Sequence, residues 1–333
     1  MVTSRLGILG ADRYTDLLVD VLSRNDRFEL AAICDPRAEC IARLENRLPF
    51  ELYDDPREMI MRSGAQILLV WSGEDHWAAV ESALEREIWV CLRTVDQAPS
   101  GPAGKLLRQA RKQNVGVFVW APWLFVPSFE SIGDYLADQQ IGAITSRFSA
   151  SDETLDWPGL ENPLVALTYP SLFLTQGWLG LPERVYCRQM TCPSQESATP
   201  IRYHCGLFLA YRQALVQLAG SLNAGPDRWE FVLQGSGGAI EAALPQAHWY
   251  DGQGKLLAGS EHYTTDLVRR IGYERMLNAL WQAYQERQRS TAFELGRHIG
   301  VMAVLEAAAL SAKTGDPETP AKVAELNELM TLS

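Results

Sequence analysis

The chain has 333 residues, 47% hydrophobic and 21% charged, with a formal net charge of −11. That length predicts two domains, and that composition excludes a disordered chain. The acidic balance excludes nucleic acid as a partner, because neutralising phosphates takes clustered Lys and Arg.

The first third alternates short apolar runs with helical stretches. Leu6 to Leu9 reads as a strand, followed by a turn at Gly10 and a helical pattern from Leu17 to Leu22. Phe28 to Cys34 is a second strand, ending at Asp35-Pro36, where Asp serves as cap and Pro as first helical residue. Gln66–Trp71 and Ile88–Leu92 are near-continuous apolar runs, as parallel strands buried on both faces should be. Helices are predicted over 75–86 and 104–113, and a strand over 115–120. This β-α-β rhythm predicts a Rossmann-like, doubly wound parallel sheet in a first domain, residues 1–121.

The rhythm changes in the second domain, residues 122–333. A helix over 128–137 precedes a strand over 143–148. Runs over 206–213, 214–221 and 228–234 follow, and Gly235-Ser-Gly-Gly238 reads as a hairpin turn, not a phosphate loop, since it opens no helix. Strands in succession predict a large, mostly antiparallel sheet, closed by helices over 266–287 and 292–312, the last stopping at Gly315 with Pro317 just beyond. The fold class is therefore α/β followed by α+β. The most apolar stretch, Val115 to Val126, is broken by Pro122 and falls short of the ~20 residues of a membrane span. No secretory signal pattern precedes Asp12 and Arg13, and six cysteines form no C-x-x-C pair. A reduced, cytoplasmic protein is expected, without a membrane. Cys187, Cys192, His204 and Cys205 fit no zinc spacing, and no metal site is expected.

In order and spacing these features resemble the glucose–fructose oxidoreductase / inositol dehydrogenase (Gfo/Idh/MocA) family. "FELAAICDPRAECIARLENRLPFELYDDPREMI", "FVLQGSGGAIEA" and "ELGRHIGVMAVLEAAALSAKTGDP" are similar to its second strand onward, its sheet hairpin and its closing helix. The resemblance implies a nicotinamide cofactor, a sugar or polyol substrate, and pairing of copies through the second-domain sheet. It also implies site positions, and most have changed. In the G-x-G-x-x-G cradle only Gly10 remains; Asp12 and Thr15 replace the later glycines. A carboxylate ~5 Å from a phosphate charge costs about 3 kcal/mol per pair at an effective dielectric of ~20. Asp35 stands where a ribose diol would be held, or is simply the helix cap. At the Glu-Lys-Pro motif stands Arg93-Thr94-Val95, so Thr94 replaces the lysine. Ala166 and Pro170 replace the family's Asp and His on a helix.

These losses predict a protein without a cofactor, with binding of NAD(P) as the alternative. They predict a binding, structural or partner-subunit role, with an active oxidoreductase of atypical site as the alternative. His76, beside Glu74 and Asp75 after the fourth strand, is the one replacement acid/base on offer; its other reading is a solvated helical turn. Trp71, Trp77, Trp120, Trp123, Phe125, Tyr169 and Phe173 would fill the old cleft or line it for a small ligand. Homodimers or tetramers are expected through the second-domain sheet, with Leu207, Leu209, Tyr211, Leu215, Trp229 and Phe231 as candidates for its exposed face.

Overall fold

The computed structural model describes residues 3–12, 14–44, 50–71, 77–93, 100–129, 132, 140–151, 162–192, 202–243, 246–251, 253–259 and 265–326. The chain forms two compact units. The first joins Met1–Pro122 to Arg270–Gly296, and the second joins Trp123–Arg269 to Arg297–Ser333.

The first unit is built on six parallel strands: β1 (Ser4–Leu9), β2 (Phe28–Cys34), β3 (Glu51–Tyr53), β4 (Ile67–Val70), β5 (Trp89–Leu92) and β6 (Val117–Val119). Their order is β3-β2-β1-β4-β5-β6, so direction across the sheet reverses between β1 and β4. The helices are α1 (Thr15–Ser23), α2 (Ala38–Leu44), α3 (Pro56–Arg62), α4 (Trp77–Glu85) and α5 (Ser100–Gln113). Strands β4, β5 and β6 are buried at every residue, which is why their sequences carry no polar alternation. Residues 270–296 return to this unit: Phe293 O accepts from Val119 N at 2.8 Å, and Tyr273 stacks edge-on against Trp71 and Trp120.

The second unit opens on a 3₁₀ turn (Pro122–Phe125) and holds eight strands. They are β7 (Ile141–Ala150), β8 (Arg184–Cys192), β9 (Arg202–Ala210), β10 (Leu215–Leu222), β11 (Arg228–Gly235), β12 (Gly238–Ala243), β13 (Gln246–Tyr250) and β14 (Leu256–Gly259), in the order β14-β13-β12-β11-β7-β10-β9-β8. Every pairing is antiparallel except β7 with β10. One face packs on α6 (Pro163–Leu179): Ser146 and Trp229 both hydrogen-bond to the Ser171 hydroxyl, and Gly220 leaves room for Leu167. The remaining helices of the chain are α7 (Thr265–Gln285), which from residue 270 onward belongs to the first unit, α8 (Leu295–Thr314) and α9 (Pro320–Leu326). Helix α8 is long and apolar enough to cross a membrane, but 61% of its most apolar window is buried inside the protein. Most of the predicted helix over 128–137 lies outside the described residues.

The proposed exposed face needs correction. Leu207, Leu209, Trp229 and Phe231 are buried on the inner side, because the α6 side of the sheet takes the larger residues. Of the six candidates, Leu215 is well exposed, and the open face adds Phe208 and Met190.

The predicted hairpin is present: Gly235 pairs with Gly238 across Ser236 and Gly237. Gly238 has φ 135°, and a Cβ there would lie 2.2 Å from the Tyr250 carbonyl oxygen. Gly238→Ala is therefore expected to lose roughly 2–4 kcal/mol in urea denaturation. Gly206→Ala, with no atom within 4 Å of the new methyl, serves as the neutral control.

Candidate functional site

In an open parallel sheet, ligands bind outside the carboxyl ends of the strands, at the point where strand order reverses. Past β1, β4, β5 and β6 the first residue extends the ladder by one bond, which fixes its backbone. Gly10 N donates to Cys34 O at 2.7 Å, Trp71 N to Leu9 O at 2.7 Å, Arg93 N to Val70 O at 2.9 Å and Trp120 N to Leu92 O at 2.8 Å. Gly10 has φ 84°, a conformation that favours glycine and turns the chain into α1.

Three of these strand ends converge on one carboxylate. Asp12 Oδ1 accepts from Tyr14 N at 2.8 Å and from the Trp71 indole at 3.0 Å. Its Oδ2 accepts from Arg93 in an ion pair. Arg93 also donates to Trp71 O at 3.2 Å, and its guanidinium lies 4.4 Å from the Trp71 ring and 5.3 Å from the Tyr14 ring. It is 2% exposed. Thr15, fully buried, accepts from Asp12 N at 2.8 Å, and Thr15 N donates to Asp12 O. The two residues that replace glycines therefore close the turn with their own side chains. The unassigned partners are Arg93 and Trp71; the signal for them was a guanidinium one residue past β5 in a chain carrying Asp12 past β1.

Asp35 is 1% exposed and serves the turn from below. It accepts from Ala11 N at 2.7 Å, from Arg37 N at 2.9 Å, and from the Arg37 side chain through both oxygens at 2.9 and 2.8 Å. Arg37 also donates to Ala11 O at 2.5 Å. Of the two readings of Asp35, the local structural one accounts for both oxygens. Burial pushes its carboxyl up, but the Arg37 hydrogen bonds, the Ala11 amide and the Arg37 charge outweigh it and hold the pKa below the ordinary value.

Thr94 and His76 lie outside the described residues. Ala166 and Pro170 are buried in α6, with no ionisable group of their own. Next to Pro170, the Tyr169 hydroxyl meets His298 Nδ1 of α8 at 2.9 Å, both side chains fully enclosed. In sequence 129 residues separate the pair. The aromatic residues are mostly packed on one another: Trp71 with Trp120 in the first unit, Trp123 with Tyr169 and Phe173 in the second. Trp77 and Phe125 are partly exposed. Among the described residues, no cluster of His, Cys, Asp and Glu is arranged to hold a metal.

Because the Asp35 pKa is depressed in the folded protein, its contribution is complete above the unfolded value of about 3.9 and fades as pH falls through the folded one. Asp35→Asn is expected to cost roughly 2–4 kcal/mol at neutral pH. In urea titrations the gap to the parent protein should close as the pH drops below about 4.

No family model matches the chain, and no curated protein sequence does. Solved structures do match. An oxidoreductase from Agrobacterium radiobacter, in complex with NAD+, L-tartaric acid and magnesium, superposes with a TM-score of 0.81 at 13% identity, over 96% of this chain and 99% of that one. A myo-inositol dehydrogenase from Corynebacterium glutamicum gives 0.78 at 17% identity, over 96% and 99%. GenD2 from gentamicin A biosynthesis, in complex with NAD, gives 0.76 at 15% identity, over 96% and 97%. These matches overturn the expectation of a protein without a cofactor, since two of the three structures hold the dinucleotide on this fold. The physical reason is also visible: the repulsion assigned to Asp12 presumed an unpaired carboxylate, and Arg93 neutralises it. The chain has the two-unit fold of the Gfo/Idh/MocA oxidoreductases.

Proposed function

We propose that this chain binds a nicotinamide dinucleotide through its first unit and belongs functionally with the oxidoreductases of its fold. The observation that carries this reading is the donor set at the strand ends. A backbone amide, an indole N–H and a buried guanidinium converge on one negative charge, which is the chemistry a pyrophosphate needs. The residues present fit the group: Gly10 permits close backbone approach, Asp35 fixes Ala11 and the turn, and Arg93 and Trp71 supply donors. A bound nicotinamide would supply the hydride acceptor or donor.

What the chain does with the cofactor turns on the proton. With Thr94, Ala166 and Pro170 at the family's lysine, aspartate and histidine positions, the first reading is a binding or partner-subunit role toward a small sugar- or polyol-like molecule. The second reading, an active oxidoreductase, is favoured by the Tyr169–His298 pair, a phenol and an imidazole in direct hydrogen bond beside Pro170. Burial raises the Tyr169 pKa well above the ordinary range, so the phenol stays protonated against His298. All six cysteines are free thiols, in keeping with a reducing, cytoplasmic setting.

Thermal melting with NAD(H) and NADP(H) tests the reading. Saturation at one hundred times the dissociation constant adds about 2.7 kcal/mol, an upward shift in melting temperature that is easily read. A flat melting temperature at millimolar cofactor overturns it. Oxidation of sugars and polyols, followed by reduced-nicotinamide absorbance, separates the two roles. Binding without turnover supports the first. Turnover that falls roughly a hundredfold in His298→Gln and Tyr169→Phe supports the second.

We also propose self-association through the open face of the second-unit sheet. A cross-strand row runs Tyr186, Phe208, Gln217, Thr145, Val232 and Glu241 along that face. Phe208 is 53% exposed, Met190 59% and Leu215 68%, an apolar area flanked by polar residues. Light scattering should give a dimer or tetramer of the 37.1 kDa chain, and Phe208→Glu should shift it toward monomer. A parent protein that is strictly monomeric at micromolar concentration overturns the proposal.

A further inference from the structure

We propose that a pocket between α5 and the stretch after α7 binds a small organic acid, an apolar body ending in a carboxylate or phosphate. The cavity measures about 710 Å³, a volume typical of small-molecule sites. It is enclosed by the C-terminal half of α5, the entry to β6 and residues 287–296, all within the first unit. Val115 and Val117 stand at the amino end of β6, so the pocket lies away from the crevice at the strands' carboxyl ends. The proposal is independent of the dinucleotide reading.

Floor and rim differ in chemistry. Leu107, Val115 and Val117 give the pocket an aliphatic floor. Around it stand Arg111, Arg287 and Arg289 against one acidic residue, Glu294, in a chain whose formal charge is −11. Glu294 Oε1 is folded back toward Gly296, where an added Cβ would lie 3.2 Å from it. Arg111 has further interactions of its own, so the site turns on Arg287 and Arg289; among the described residues neither stands in an ion pair. A helix dipole accounts for arginines at helix ends, Arg111 in the last turn of α5 and Arg287 just past α7. It does not account for Arg289, which lies beyond both ends. The carbonyls there are already closed by their own turns: Val115 N donates to Ala110 O at 2.9 Å, and Gln288 N to Ala283 O at 2.8 Å. Arg287 is held at φ 54°, where glycine is the ordinary residue. Keeping a side chain there costs conformational energy, and the side chain kept brings a guanidinium to the rim.

A bare inorganic anion would meet only exposed guanidinium groups, which water and salt screen. A neutral apolar molecule would cover the floor and leave the cations unanswered. An acid with an apolar body does both, since its body displaces water from the floor while its head group takes a forked hydrogen bond from arginine.

The test titrates the full chain with hexanoate and phenyl phosphate. Hexanol supplies the body without the charge, and inorganic phosphate the charge without the body. At least one acid is expected to bind with a Kd at or below about 1 mM, and its partial probe roughly tenfold more weakly. Tighter binding of either acid supports the proposal and identifies the head group as carboxylate or phosphate. Arg287→Gly removes one guanidinium and relieves the left-handed backbone. Its melting temperature should equal or exceed the parent's while acid binding weakens roughly three- to tenfold. Arg289→Gln should weaken binding likewise, and Arg108→Gln, on α5 but outside the pocket, should leave it unchanged. A Kd above about 1 mM for both acids overturns the proposal. So does a partial probe that binds as tightly as its acid, or acid binding that is unchanged in both Arg287→Gly and Arg289→Gln.

Discussion

A guanidinium enclosed by protein must have its charge answered, and Arg93 imposes that constraint on the whole crevice of the first unit. Its backbone is fixed by the bond from Arg93 N to Val70 O, and its guanidinium lies against the Trp71 and Tyr14 rings. Asp12 is therefore no free substitution for a glycine. A carboxylate at residue 12 with an acidic residue at 93 would set two like charges a few ångströms apart. With arginine there, the same carboxylate becomes the counter-ion. The two residues make physical sense only as a pair, and Thr15 completes them by accepting the Asp12 amide. Below them Asp35 and Arg37 form a second closed pair that holds Ala11 from both its amide and its carbonyl.

The parts legible in the sequence were those set by local repetition. Buried parallel strands announce themselves as unbroken apolar runs, and β4 and β5 were read from that pattern; Gly10 and the Gly235–Gly238 turn stood out because few residues tolerate their geometry. What stayed hidden depends on contact between distant segments. The Asp12 carboxylate is answered by Arg93, 81 residues away, and a repulsion calculated for Asp12 alone left that partner out. Likewise the meeting of His298 with Tyr169 joins α8 to α6 across 129 residues of sequence. Strand periodicity marked β9 to β11 as two-faced, yet periodicity does not say which face meets a helix. Leu207 and Phe231 went inward because α6 needed apolar partners, leaving Phe208 and Leu215 outside.

Hydride transfer to or from a hydroxyl needs two separate capacities, an anion site for the cofactor and a proton carrier for the substrate. In the crevice of the first unit a backbone amide, an indole N–H and a guanidinium meet on the Asp12 carboxylate. The helix that carries the proton-transfer residues in the resembled family has instead become core: twelve of the seventeen residues of α6 are buried, Ala166 and Pro170 among them. Its small hydroxyls are all engaged inside the protein, Thr168 with Leu164 O, Thr175 with Ser171 O, and Ser171 with Ser146 and Trp229 of the sheet. The remaining group on α6 with a transferable proton and a titratable neighbour is Tyr169, and its partner is already inside the protein. A proton on that pair reaches a substrate only if α6 or its surroundings open.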